Sequence, residues 1–286
     1  MPRPAIGYEN YVRIRLGGWR LWMHKDLPGS GKTVLSEDGL FDGVRGPFQK
    51  IPSSRYARVF KCSLSLPGRI EHFYLKQYLH RSACDFVKHL FRPSRAMRSL
   101  KATLLLARNG LAAPPVIAVG EDRQFFFRTR CFVVTSQVEQ ASPVYAWLGR
   151  LPADERRTRV RRRDFIRRLG STVGRMHARE ICHGDLRPGN VLAADTADGW
   201  QFYLIDNERT IGHKHLPHRL RVKNLVQIGM LTDDQISRTD RMRFFQAYLQ
   251  ENPSQSARRR SLAAVVLARI RQRLAGKTPV FVAHPA

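Results

Sequence analysis

Apolar and polar residues alternate in short runs through the first half of the chain, a pattern that predicts β-strands. Two of these runs are separated by Gly17-Gly18, which predicts a hairpin. Two others are joined by Pro67-Gly68-Arg69, a turn by composition. The runs are Tyr11–Leu16, Trp19–Lys25, Tyr56–Leu66, Ile70–Leu79, Val116–Val119 and Cys131–Thr135.

One helical pattern interrupts these strands. It opens after Pro93-Ser94, and Asn109-Gly110 supplies the residues of a helix C-cap. Its small and apolar residues recur at spacings of three and four, namely Ala96, Leu100, Thr103, Leu104 and Ala107.

The second half carries mainly helical periodicity. Ile166, Leu169, Val173 and Met176 form one apolar stripe on an arginine-rich helix. Two short strands and three further helices are predicted at Val191–Ala193, Phe202–Ile205, and about His218–Leu231, Asp233–Gln250 and Ala257–Ala275. Strands with one helix, followed mostly by helices, predict a two-lobed α+β protein with a β-rich lobe over residues 1–136 and a mostly helical lobe over residues 137–286.

Composition adds limits on the class of protein. The 286 residues, 43% of them hydrophobic, suit one domain or two tightly joined lobes. The longest apolar run, Leu262–Ala268, is far shorter than the roughly 18 residues that span a bilayer. The N-terminus has charges and Gly-Gly where a signal peptide needs an apolar stretch, so we expect a protein on the cytoplasmic side. The four cysteines are widely spaced and predict neither a disulfide framework nor a zinc knuckle.

The charge of the chain is unusual. Lys and Arg number 50 against 23 acidic residues, a formal net charge of +27. A field of this size attracts polyanions, and nucleic acid, an anionic membrane and a phosphorylated glycolipid all fit it. The arginines are not interleaved with aromatic residues spaced for base stacking, so we do not expect nucleic acid as the partner.

Gly29-Ser30-Gly31-Lys32-Thr33 resembles part of a phosphate-binding P-loop. That motif needs a glycine five residues before the second one, and the position holds Asp26, whose charge would oppose a phosphate. Pro28 also interrupts the approach. We therefore interpret the segment as a polar loop.

The residues that predict chemistry form the loop His183-Gly184-Asp185-Leu186-Arg187-Pro188-Gly189-Asn190, between an amphipathic helix and a strand. Sixteen residues after Asn190, an apolar strand ends at Asp206, and far upstream a strand contains Lys76. These are the parts that phosphoryl transfer needs, in the order in which a protein-kinase-like fold supplies them.

Each residue has a chemical reason to be there. One carboxylate must accept or orient the proton of the acceptor hydroxyl, and Asp185 is the candidate base. Arg187 would stabilise charge on the γ-phosphoryl group, and His183 completes this catalytic set by organising the loop through hydrogen bonds. The expected cofactors are ATP and Mg²⁺.

Magnesium prefers hard oxygen ligands. Asn190 offers an amide oxygen and Asp206 a carboxylate, so both are predicted to bind the metal. Lys76 would hold the α- and β-phosphates of ATP as a point charge.

With these motifs the chain resembles the lipopolysaccharide kinase family, enzymes of protein-kinase-like fold that phosphorylate heptose or Kdo sugars of the lipopolysaccharide inner core. The resemblance covers about residues 55 to 250. Besides the catalytic loop it includes Leu75–Tyr78, Phe91–Ala96, Asn109–Leu111, Arg221–Gln227 and Thr239–Phe245.

The resemblance implies an ATP-dependent kinase acting on a sugar hydroxyl of a lipid A–core precursor. It implies a peripheral protein on the cytoplasmic face of the inner membrane, next to an anionic surface. Arg258–Arg273 mixes arginines with an apolar stripe and would suit that surface, although such a stripe can also pack on the protein body. The arginines of Arg156–Arg168 have the same two interpretations, a solvated helix face or a surface for a polyanion.

Three departures from the usual kinase pattern are visible. The first helix has no glutamate to pair with Lys76, and Ser99 stands at that position. Asp85, just before the helix, is a candidate partner by its position in the sequence. Ser53-Ser54 replace a glycine-rich loop, where backbone amides would approach phosphate less closely than at glycine. Asn207-Glu208 follow Asp206, where many kinases have Phe-Gly.

Two alternatives remain open. The same motifs serve kinases of other small molecules or of proteins, which the catalytic loop alone does not separate. A catalytically dead kinase fold that binds nucleic acid or an anionic membrane would also be strongly basic, but a scaffold has no evident need for Lys76, Asp185, Asn190 and Asp206 together.

Overall fold

The structure, a computed structural model, describes residues 8–16, 18–26, 48–53, 55–66, 69–79, 92–124, 127–152 and 156–276. The chain divides into two compact units. The first comprises Met1–Glu139 together with Asp206–Arg209, and the second comprises Gln140–Ile205 together with Thr210–Ala286. Among the described residues, no helix combines the length and the hydropathy that a membrane span requires.

The first unit is built on one antiparallel sheet of seven strands in the order β1-β2-β6-β7-β5-β4-β3. The strands are β1 Tyr11–Leu16, β2 Trp19–His24, β3 Phe48–Ile51, β4 Ala57–Leu66, β5 Arg69–Tyr78, β6 Val116–Gln124 and β7 Phe127–Ser136. The predicted pairing of β1 with β2 is confirmed, since Tyr11 faces His24 and Leu16 faces Trp19. The pairing of β4 with β5 is confirmed as well, whereas β3 was not predicted.

Helix α1, Arg95–Arg108, covers one face of this sheet, as its periodicity predicted. The helix begins where the Ser94 hydroxyl accepts a hydrogen bond of 2.9 Å from the backbone N–H of Met97. Leu100 and Leu104 pack against β-strand residues that include Tyr78. Side chains alternate between the two faces of a strand. Leu75 therefore belongs to the hydrophobic cluster on the face away from α1, while Lys76 lies on the same face of β5 as Tyr78.

The second unit is mostly helical. Its helices are α2 Val144–Arg150, α3 Arg156–Ala178, α4 His218–Ile228, α5 Arg238–Glu251 and α6 Arg259–Ala275. Its strands form a three-stranded sheet and a two-stranded ladder from β8 Ser142–Pro143, β9 Ile181–Cys182, β10 Val191–Thr196, β11 Gly199–Leu204 and β12 Ile211–Gly212. The β-rich first unit with one described helix and the mostly helical second unit confirm the predicted fold class.

One local expectation needs correction, and one helix was missed. Helix α5 begins at Arg238 and not at Asp233, because the Ser237 hydroxyl accepts from the Asp240 N–H at 3.1 Å and caps the helix there. Helix α2 was not predicted, since its seven residues are too few to show a periodicity.

Helices α3 and α5 pack unusually closely. A Cβ added at Gly170 would lie 2.3 Å from the Phe244 carbonyl oxygen, and one added at Gly174 would lie 2.8 Å from Glu251 Cβ. Glycines four residues apart therefore allow the two backbones to approach. Helix α3 buries Phe165, Ile166, Leu169, Val173 and Met176, which include the predicted apolar stripe.

The arginine cluster on α3 is not uniformly solvated. Arg162 is buried, and its Nε donates to Asp240 on α5 at 2.9 Å. Its remaining nitrogens donate to the carbonyl oxygens of Leu148, Leu151 and Gln235 at 2.7–3.1 Å. The interpretation of Arg156–Arg168 as one solvated face or one polyanion surface is therefore wrong for Arg162, which joins α3 to α5.

Candidate active site

The loop between β9 and β10 places Asp185, Arg187 and Asn190 together in the second unit. Arg187 Nε donates to Asp185 Oδ1 at 2.9 Å. Asn190 Nδ2 donates to the Asp185 carbonyl oxygen at 2.9 Å and lies 3.5 Å from Asp185 Oδ2. Gly184 has φ +80, a left-handed conformation that glycine adopts without strain and that turns the chain just before Asp185.

His183 is fully buried and ties this loop to the end of β11. Its Nε2–H donates to the Ile205 carbonyl oxygen at 2.9 Å, and its Nδ1 lies 3.4 Å from the Asp185 N–H. The Asn190 carbonyl oxygen also accepts from the Ile205 N–H at 3.0 Å. One ring nitrogen donates and the other accepts, so the geometry is that of a neutral histidine organising the loop.

A chain of buried polar side chains lies beneath the loop. Gln227 Nε2 donates to Asp185 Oδ1 at 3.0 Å, and Asn224 Oδ1 accepts from the His183 N–H at 3.1 Å. Asn224 Oδ1 also lies 3.3 Å from Nε2 of His177, whose Nδ1 lies 3.2 Å from the Tyr248 hydroxyl.

Burial, together with the nearby Arg221 guanidinium, lowers the pKa of His177 to about 3, so the imidazole is neutral. The sequence analysis did not single out Gln227 or Asn224. The available signal was a pair of amide side chains three residues apart in a helix whose other buried residues are mostly apolar.

The first unit supplies a second group of residues. Lys76 Nζ forms an ion pair with Asp206 Oδ1, and the ammonium lies 5.5 Å from the centre of the Tyr78 ring. The sequence left the acidic partner of Lys76 open; among the described residues Asp206 is that partner, and Asp85 lies outside them. Asp206 has φ +60, a left-handed conformation that is uncommon for residues with a Cβ and that Asp adopts more readily than most.

An ion pair joins helix α1 to the segment after Asp206. In this pair the helix supplies the cation, whereas in the usual kinase pair the helix supplies the glutamate. Arg95 on the helix donates to Glu208 Oε1 at 3.0 Å, and both side chains are largely buried. The Arg95 guanidinium also stacks 4.6 Å from the Tyr78 ring centre. Ser99, at the position where kinases have the helix glutamate, hydrogen-bonds the Tyr78 hydroxyl. Burial and the neighbouring Glu208 raise the pKa of Tyr78, so its hydroxyl stays protonated.

The predicted phosphate loop is only partly described. The Ser53 hydroxyl donates to the Ala57 carbonyl oxygen at 2.8 Å and so closes the turn before β4. Ser54 and the segment Gly29–Thr33 lie outside the described residues. Binding of phosphate by Ser53 and Ser54 stays a prediction.

The predicted metal ligands suit magnesium by their chemistry. Asn190 uses its amide nitrogen on the Asp185 carbonyl, which leaves its Oδ1 as a hard oxygen donor, and Asp206 carries a carboxylate that is 42% exposed. Among the described residues, no group of three or more His, Cys, Asp or Glu could hold a metal. Magnesium usually takes only one or two protein oxygens and completes its shell with water and phosphate, so the small donor set fits.

The second unit also has an apolar groove that opens to solvent between α3, α4, α5 and α6. Leu169 and Ile270 lie on its walls, with the partly exposed Met242 and Leu267. In α6, Leu262 and Ile270 are buried while Val265 and Leu267 stay 36–38% exposed. The C-terminal stripe therefore packs on the body only in part, which leaves apolar surface beside its arginines.

Comparison with known proteins identifies relatives of this arrangement. The model of the lipopolysaccharide kinase (Kdo/WaaP) family matches residues 46–248. A 3-deoxy-D-manno-octulosonic acid kinase of Pasteurella multocida is 26% identical over 102 residues, which are 35% of this chain and 38% of the relative. EKC/KEOPS complex subunit BUD32 of Kluyveromyces lactis is 41% identical over 44 residues, 15% of this chain and 17% of the relative. The chain thus spans well under half of these two relatives' length.

A solved structure, WaaP in complex with acyl carrier protein, is similar with a TM-score of 0.63 and 18% sequence identity. The similarity covers 88% of this chain and 98% of that chain. At this identity the likeness shows the fold, and it confirms the predicted protein-kinase-like α+β class.

Proposed function

The chain belongs to the lipopolysaccharide kinase (Kdo/WaaP) family, and on that premise we propose that it transfers the γ-phosphate of ATP to a heptose or Kdo hydroxyl of the lipopolysaccharide inner core. The observation that carries the proposal is the catalytic loop. Asp185, Arg187 and Asn190 contact one another there, within the residues that match the family, and their side chains are of the kinds that phosphoryl transfer uses.

In the proposed mechanism Asp185 orients the acceptor hydroxyl and takes its proton as the oxygen attacks the γ-phosphorus. The bond between the γ-phosphorus and the β-phosphate oxygen breaks in the same step, and ADP leaves. Arg187 contacts Asp185 but is 69% exposed, so its guanidinium can turn to the equatorial oxygens of the γ-phosphoryl group. The transition state is loose, so these groups act mainly by position and charge.

Lys76 is proposed to hold the α- and β-phosphates, with the backbone at Ser53 and Ser54 nearby in the nucleotide loop. Asn190 Oδ1 and the Asp206 carboxylate are proposed to hold Mg²⁺, which supplies charge neutralisation for the β- and γ-phosphates. Asp206 already faces the Lys76 ammonium, so the carboxylate and the lysine would orient each other when nucleotide binds.

We propose a peripheral position on the cytoplasmic face of the inner membrane, on a lipid A–core precursor. Support comes from the net charge of +27 and from the exposed arginines beside apolar residues on α6. Flotation with vesicles that contain anionic phospholipid measures binding of the protein to such a membrane. A double change of Arg269 and Arg273 to Gln should weaken binding, while the matched double change of Arg13 and Arg15 in the first unit should weaken it less. Equal binding by the two variants would show that α6 does not contact the membrane.

An acyl carrier protein is proposed as a further partner, because the structurally similar WaaP was solved with one. The apolar groove of the second unit is of a kind that takes an alkyl chain. A pull-down with acylated and unacylated carrier tests this: capture of the acylated form, weakened by Leu267→Asp, is expected. Equal capture of both forms would exclude the groove.

The experiment that tests the reaction is transfer of labelled γ-phosphate from Mg-ATP to purified lipopolysaccharide precursors, with Asp185→Asn as the control. Label should enter the core sugars only with the wild-type protein. ATP turnover that the mutation abolishes, without label in the lipid, would favour a kinase of another substrate. Absence of both turnover and ATP binding in the wild type would favour the catalytically dead scaffold.

A further inference from the structure

We propose that Gln227 is a positioning residue for Asp185: its amide nitrogen binds one carboxylate oxygen and thereby leaves the other oxygen for the acceptor hydroxyl. The residue lies on α4, 42 residues after Asp185, and is 8% exposed. The inference rests on the proposed phosphoryl transfer and adds a residue to that site.

The orientation of the Gln227 amide follows from its neighbours. Its Oε1 accepts from the Leu186 N–H at 3.2 Å and from Asn224 Nδ2 at 3.2 Å. Two N–H groups point at the same end of the amide, so that end is oxygen and the other end, 3.0 Å from Asp185 Oδ1, is the donating nitrogen.

Asn224 is fixed in the same way. Its Oδ1 accepts from the His183 N–H at 3.1 Å and faces His177 Nε2 at 3.3 Å, which leaves its nitrogen to donate to Gln227. Asn224 and His177 are fully buried. Turning either amide over would break hydrogen bonds between buried groups, so the interior of the second unit holds the Gln227 donor in one direction.

The two oxygens of the Asp185 carboxylate are therefore not equivalent. Oδ1 accepts from Gln227 Nε2 and from Arg187 Nε, whereas Oδ2 has Asn190 Nδ2 at 3.5 Å. Arg187 is 69% exposed and is proposed to move to the phosphoryl group. Gln227 is buried, so its hydrogen bond to Oδ1 remains when Arg187 moves away. Gln227 thus keeps Oδ1 occupied through the reaction, and Oδ2 is the oxygen that receives the hydroxyl proton.

Two substitutions separate positioning from a structural role. Gln227→Glu keeps an oxygen for Leu186 and Asn224 but replaces the donor to Asp185 with a second carboxylate oxygen. Gln227→Met keeps the length of the side chain and removes every polar contact. Because misplacement of a reacting group by about 1 Å lowers rates about a hundredfold, we expect kcat to fall about tenfold to a hundredfold in both, with KM for ATP unchanged.

The matched control is Gln235→Glu, the same chemical change at a side chain of the second unit that accepts from the Thr232 N–H. It should have wild-type kcat. Wild-type kcat in Gln227→Glu, with the loss confined to Gln227→Met, would show that Gln227 only supports the loop and would overturn the proposal.

A measurement without turnover keeps the inference separate from the proposed function. In ¹⁵N-labelled protein the side-chain amide signal of Gln227 should shift on Asp185→Ala, while that of Gln235 should not. A Gln227 signal that does not shift overturns the proposed contact even if the wild type is an active kinase. A shift with an inactive wild type would leave the contact standing and refute the assigned reaction.

Discussion

His177 makes the stability of the second unit depend on pH. The imidazole is completely buried between Asn224 and Tyr248, and burial with the charge of Arg221 lowers its pKa from 6.5 to about 3. The unfolded chain binds a proton at the ordinary pKa, while the folded protein does not bind it until near pH 3. The unfolded state therefore holds more protons in this interval, and the free energy of unfolding falls as the pH drops below 6.5.

The size of the effect follows from the two pKa values. Each pH unit inside the interval costs about 1.4 kcal/mol, so this one group removes about 2 kcal/mol between pH 7.5 and pH 5.0. His177→Gln has no group that titrates there. Its free energy of unfolding should be lower than that of the wild type at pH 7.5, but the difference should shrink by about 2 kcal/mol at pH 5.0.

Urea unfolding followed by circular dichroism at both pH values measures this difference. His215→Gln removes an exposed imidazole in the same unit and is the matched control, expected to follow the wild type. If the wild type and His177→Gln lose the same free energy between pH 7.5 and pH 5.0, His177 is not held neutral in the folded protein.

Three further predictions follow from single contacts. Asp206→Ala should weaken Mg²⁺-dependent binding of ATP, and unchanged affinity in titration calorimetry would refute its role as a metal ligand. Arg162→Met should lower the free energy of unfolding by about 3–5 kcal/mol, because the Asp240 carboxylate stays buried without its main partner; a loss below 1 kcal/mol in urea unfolding would contradict this. Gly170→Ala should cost about 1–3 kcal/mol, since its Cβ would meet the Phe244 carbonyl oxygen, and an unchanged thermal midpoint would exclude that clash.

Much of the candidate site could be read from the sequence because its residues are neighbours in the chain. Asp185, Arg187 and Asn190 lie within six residues, and a loop of that length brings them together with little help from the rest of the fold. Strands and helices were predicted for the same reason, since alternation and three- to four-residue spacing are local properties. Helix starts that depend on one side chain, such as the Ser237 cap of α5, were less predictable.

The sequence by itself determined the class of fold, the catalytic loop and the basic character of the protein. Only the tertiary structure decided that Lys76 pairs with Asp206, 130 residues away, that Arg95 pairs with Glu208, and that Gln227 binds Asp185. The physical reason is that charged and amide side chains look alike in sequence whether they face water or the interior. Their partners are set by which strands and helices pack together, and that packing depends on contacts far apart in the chain.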